Sequence, residues 1–137
     1  MNRPDNRTEF RSAADELNHI SDLIQYASDH AEPLDERVVT RFGAILKSCG
    51  DDDGSIALQE HWANFHEVNG DFEKASFHRM RQIQLVEELF HIGGPIGPVN
   101  NEYLASALRS LAKCLIAMGK HAEAAQNLGR ANDVIND

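Results

Sequence analysis

The chain has 137 residues, 42% of them hydrophobic, with only four prolines, enough for one domain that buries about two-thirds of its unfolded surface. Thirteen Lys/Arg against 22 Asp/Glu give a net charge of −9. That excludes general binding to DNA, RNA or an anionic membrane, because phosphate-rich partners demand a positive surface. No apolar run approaches the ~18 residues of a membrane span, and residues 1–12 lack the apolar core of a secretory signal, so a cytoplasmic protein is expected.

In chain order, residues 1–7 are polar and are expected to be disordered, with one helical domain over residues 8–137. Thr8 is a candidate N-cap, and Phe10, Ala13, Ala14, Leu17, Ile20, Leu23, Ile24 and Ala27 trace one apolar stripe to about His30. Glu32-Pro33 breaks the pattern. A second helix is predicted from about Leu34 to Ser48, on the stripe Val38, Val39, Phe42, Ile45, Leu46 and Cys49, with Gly50 as its stop. These two helices form an N-terminal hairpin over 8–50. Cys49 and Cys114 are the only cysteines; both fall on apolar stripes and read as buried thiols in a reducing compartment.

Asp51-Asp52-Asp53-Gly54-Ser55 follows, acidic residues that suit the positive end of a helix, with Ser55 or Asp53 as cap. Helix three is predicted from about Ile56 to Val68 with its buried stripe on Leu58, Trp62 and Phe65. After the turn Asn69-Gly70-Asp71, helix four runs from Phe72 to about His91, a second hairpin over 56–92. Gly93-Gly94-Pro95-Ile96-Gly97-Pro98 is a linker, since proline has no N–H with which to wrap a phosphate. The third hairpin, 100–135, carries Leu104, Leu108, Leu111, Ala112, Leu115 and Ile116 on its first helix. Met118-Gly119-Lys120 makes its turn, and Ala122, Ala124, Ala125, Leu128, Ala131 and Ile135 lie on the second helix.

Leu108, Leu111, Ala112, Leu115, Gly119, Ala124, Leu128 and Ala131 resemble a tetratricopeptide (TPR) repeat. A weaker version begins at Trp62-Ala63 and continues through Gly70, Phe72 and Ala75, with Gln59, His66, Arg79 and Gln82 standing where the pattern has apolar residues. Gly70 and Gly119 lie 49 residues apart, against about 34 in the standard repeat. A longer second helix plus the loop accommodates the excess, and the extended repeat is similar to those of kinesin light chains. The resemblance implies an all-α fold of about six helices in three antiparallel hairpins, stacked with the right-handed sense of TPR proteins.

It also implies a concave face lined by the first helix of each hairpin, and with it a non-catalytic interaction module binding a peptide or partner helix. The implied binding residues are Glu60, His61, Asn64, Glu67, Arg109 and Lys113. Arg109 and Lys113, four apart, point the same way, and Asn64 can both donate to and accept from a peptide backbone. The competing expectation is a solvated face on which Glu60 pairs with Arg109.

The last hairpin has no polar helix after it. A self-associating scaffold or homodimer using Ala125, Leu128 and Ile135 is therefore the alternative function. A third is cation sensing by the acidic loop, where aligning Gly54 on the calcium-loop glycine puts Glu60 at the closing ligand but Cys49 at the first, a thiol where a hard cation requires oxygen. The seven histidines include no pair four apart on one helix, and no nucleophile can be set beside a base. No metal, cofactor or catalysis is expected.

Overall fold

A computed structural model of the chain describes residues 9–95 and 97–136. The described residues form six α-helices and no strand, in two compact units, Met1–Asp51 and Asp52–Asp137. The division falls in the acidic loop that separates the first hairpin from the second. The predicted disorder of residues 1–7, the Thr8 cap and Ile96 of the linker lie outside the described residues.

In the first unit, α1 spans Ala13–Asp29 and α2 Glu36–Cys49. Helix α1 starts later than its stripe suggests. Ser12 Oγ accepts from Asp15 N at 3.1 Å while Asp15 Oδ2 accepts from Arg11 N at 3.1 Å, a reciprocal cap that fixes the helix start. Phe10 therefore precedes the helix, its ring 5.4 Å from that of His19. Leu17, His19, Ile20 and Ala27 are buried on α1, and Phe42, Gly43, Ile45 and Leu46 on α2.

Arg41 bridges the two helices with a forked bond to Glu16 (Nε–Oε2 2.7 Å, Nη2–Oε1 2.8 Å), which holds the Glu16 carboxyl below its ordinary value. Cys49 departs from the expectation of burial. It is the last residue of α2 and is exposed, because the chain turns away at Gly50 before another turn can cover it.

The second unit contains α3 (Ile56–Val68), α4 (Phe72–Gly93), α5 (Asn101–Ala117) and α6 (His121–Asn136), each packed on the next in chain order. Ser55, Asp71 and Asn100 cap α3, α4 and α5, each side-chain oxygen accepting a backbone N–H of the first turn.

The two tight turns are alike. Gly70 at φ 75 and Gly119 at φ 78 are left-handed, and each turn closes with the paired bonds of a Schellman motif. These are Asp71 N to His66 O (2.9 Å) with Gly70 N to Glu67 O (3.0 Å), and Lys120 N to Leu115 O (2.8 Å) with Gly119 N to Ile116 O (2.9 Å).

One apolar core fills this unit. Ile83 and Val86 of α4 meet Leu104, Leu108, Leu111 and Leu115 of α5, closed by the small residues Ala105, Ala107, Ala112, Ala124 and Ala131. Alanines on α5 and α6 let those helices approach closely. On α3 the buried set differs from the predicted stripe: Gln59, His61 and Ala63 are buried, while Leu58, Trp62 and Phe65 are only half-buried.

Trp62 does not belong to the cluster around Leu111. Its ring stacks with His66 (5.7 Å) and His78 (5.8 Å) and meets Phe65 edge-on at 6.2 Å. Aromatic stacking of Trp62 and His66 on His78 thus joins α3 to α4.

Candidate functional site

Three residues of α3, Glu60, Asn64 and Glu67, are gathered into a hydrogen-bonded network with α4 and α5. At its centre is Arg79, 3% exposed. Arg79 Nη2 donates to Asn64 Oδ1 (2.8 Å) and to Glu67 Oε1 (3.0 Å), and Nη1 donates to Gln82 Oε1 (2.8 Å). The network continues outward: Gln82 Nε2 donates to the Tyr103 hydroxyl (2.8 Å), which donates to Glu60 Oε2 (3.2 Å).

On the next turns of α5, Cys114 Sγ donates to Glu67 Oε1 at 3.3 Å. Glu60 and Glu67 are thus both tied to α5 by side-chain hydrogen bonds, while the backbones of α3 and α5 each pack on α4 between them. A second chain of bonds supports the start of α3, where His78 Nδ1 donates to Gln59 Oε1 (2.8 Å) and Gln59 Nε2 donates to Asp52 O (3.2 Å).

The electrostatics follow from this arrangement. A guanidinium removed from water is tolerated because Glu67 supplies a countercharge and Asn64 and Gln82 supply neutral acceptors. Arg79 Nε alone has no partner among the buried polar side-chain atoms of the described residues. Burial first, and then the Glu67 carboxylate, push the Cys114 thiol up to about 12, so it stays protonated and acts as a donor. Burial, with Glu60 close by, also raises Tyr103, keeping its hydroxyl protonated. Both the Cys114 thiol and the Tyr103 hydroxyl therefore act as donors to the carboxylates of α3.

Comparison with known proteins finds no family model, no curated protein and no solved structure that matches this chain.

The sequence-derived binding residues divide three ways. Glu60, Asn64 and Glu67 are half-buried and share the network. His61 is buried, which lowers its imidazole below the ordinary value, and it does not form part of an open face. Arg109 and Lys113 are exposed on α5 and make no ion pair among the described residues. The expected Glu60–Arg109 pairing does not form, because Tyr103 takes the Glu60 carboxylate instead.

The network adds Arg79, Gln82, Tyr103 and Cys114, which the repeat resemblance does not mark as binding residues. Their signal was present at Gln59, Arg79 and Gln82, polar residues at positions with apolar periodicity, since such residues in a core require one another as partners.

On the last hairpin Ala125 is exposed, Leu128 is 40% exposed and Ile116 is 46% exposed. Ile135 is half-buried against the core rather than free. In the acidic loop, Asp52 Oδ1 accepts from Gly54 N and the carbonyls of Asp52 and Asp53 accept from Gln59 and Arg81. Among the described residues no three His, Cys, Asp or Glu side chains stand where one ion could be held. No described helix is long and apolar enough to cross a membrane.

Proposed function

We propose that this protein is a non-catalytic interaction module with a TPR-like arrangement, and that it binds a peptide or partner helix along the face formed by α3 and α5. The observation that carries it is the pair of side-chain bonds that join these two helices, Glu60–Tyr103 and Glu67–Cys114, with the leucines of α5 turned into the apolar core. A face held by a hydrogen-bond network keeps one shape before a partner arrives, and pre-organisation lowers the ordering cost of binding.

The test fills the face by bulk. Ala57 on α3 and Ser106 on α5 are exposed, so Ala57→Trp/Ser106→Trp obstructs the groove while leaving the core intact. Partners retained from native lysate by the wild-type chain, identified by mass spectrometry, are lost from the variant whose circular dichroism is unchanged. Retention of every partner by the variant removes the groove.

A second reading, self-association through the C-terminal hairpin, is supported by the exposure of Leu128 and Ile116. Burying a few hundred Å2 of apolar surface there is worth several kcal/mol at ~25 cal/mol per Å2 before association costs. Sedimentation separates the two: a dimer dissociated by Leu128→Asp favours this reading, and a monomer favours the groove.

A further inference from the structure

Both carboxylates of the α3 edge are turned inward, Glu60 onto the Tyr103 hydroxyl and Glu67 onto Arg79 and Cys114. The α5 edge has no such compensation. Arg109 and Lys113 lie one turn apart, exposed and without an ion pair among the described residues. Lys113 is close enough to the cluster for its charge to act on the Cys114 thiol. The one acid of α5, Glu102, sits in the first turn, about 10 Å along the axis from Arg109.

In the C-terminal half of the face, Arg79 and Glu67 therefore offset each other, and two cations remain that nothing offsets. We infer that this half of the α3–α5 face takes an acidic segment of a partner protein, with carboxylates meeting Arg109 and Lys113 and the remaining backbone lying toward Asn64. The inference depends on α3–α5 being the binding face, and adds the sign of the partner.

The chain as a whole carries −9, which at first sight argues against an acidic partner. Charges farther away than a Debye length, about 8 Å at physiological salt, are largely screened. The sign of a docked segment is thus decided by the two cations it touches. The acidic remainder repels the same segment from other faces and so orients the encounter.

The test is selection of phage-displayed random short peptides on the immobilised full chain. The pool retained by the wild type is expected to be acidic relative to the input, with retention falling roughly tenfold or more on Arg109→Glu/Lys113→Glu, since like charges then face each other. Lys47→Glu/Lys120→Glu, an equal change of net charge at exposed positions elsewhere, leaves retention unchanged.

A pool that is neutral or basic, or an acidic pool held equally well by Arg109→Glu/Lys113→Glu, overturns the inference. The groove itself survives that result if Ala57→Trp/Ser106→Trp still abolishes retention. Absence of any peptide whose retention depends on Ala57→Trp/Ser106→Trp overturns the groove and the inference together.

Discussion

The α3–α4 and α5–α6 hairpins close with the same turn, a left-handed glycine after the helix and a pair of Schellman bonds, at Gly70 and at Gly119. Their interiors differ. Between α5 and α6 the contact is aliphatic, leucines and alanines joined by Val134 and Ile135. Between α3 and α4 it is Gln59 on His78, Trp62 stacked with His66 and His78, and Arg79 held by Asn64, Glu67 and Gln82. One backbone geometry can thus be filled by non-directional packing, which tolerates small shifts, or by directional hydrogen bonds, which fail together if one partner is lost.

The largest effect is expected in the apolar hairpin. Leu108 is fully buried in the core, and Leu108→Ala should cost about 2–5 kcal/mol through lost burial and the cavity left behind, read from urea unfolding. In the polar hairpin, Arg79→Met should cost about 2–3 kcal/mol, because Glu67, Asn64 and Gln82 lose their shared donor; the partial exposure of Glu67 keeps the figure below that of a fully buried pair.

Adding Glu67→Gln to Arg79→Met should recover about 1 kcal/mol by removing the stranded carboxylate. If Arg79→Met instead unfolds no more easily than the wild type, the hairpin is held by its aromatic stack and the contrast must be redrawn. The turns should behave alike: Gly70→Ala and Gly119→Ala each force an L-residue to positive φ at about 1 kcal/mol, and unequal costs would show that the two turns are less alike than their hydrogen bonds.

The smallest effect concerns pH and only the polar hairpin. His66 is depressed below 6.5 by burial, then by His78 and Lys74, against the pull of Asp71. His61 is depressed by burial. A lowered folded-state value means that the unfolded chain takes up the proton first. Stability is fully present above 6.5 and is lost as pH falls below it toward the folded values. The urea midpoint should drop between about pH 7 and about pH 5, accompanied by a change in the fluorescence of Trp62, the only tryptophan. A midpoint flat across that window would mean that both histidines titrate normally.

Much of the fold was legible in the residues. Helix α3 begins and ends where its periodicity and Ser55 cap predict, and Gly70 and Gly119 mark their turns, because caps and left-handed glycines act over a few neighbouring residues. Helix α1 begins at Ala13, later than the apolar stripe from Phe10 suggests, because the reciprocal Ser12–Asp15 pairing caps it there. The candidate face was half legible. Arg109 and Lys113 are exposed on the helix where spacing put them, whereas the Glu60 carboxylate, expected to face a partner or Arg109, is taken by Tyr103.

By itself, then, the sequence determined an all-helical chain, the positions of its turns and the apolar seam from Leu104 to Ala131, all of which follow from short-range periodicity and backbone preference. Only the tertiary structure decided that Gln59, Arg79 and Gln82 are partners rather than defects, that Trp62 stacks with histidines apart from the leucine core, and which charges remain uncompensated. Those outcomes depend on side chains many residues apart in the chain meeting at hydrogen-bond distance. A polar group in a core is stabilising or costly only according to what stands opposite it.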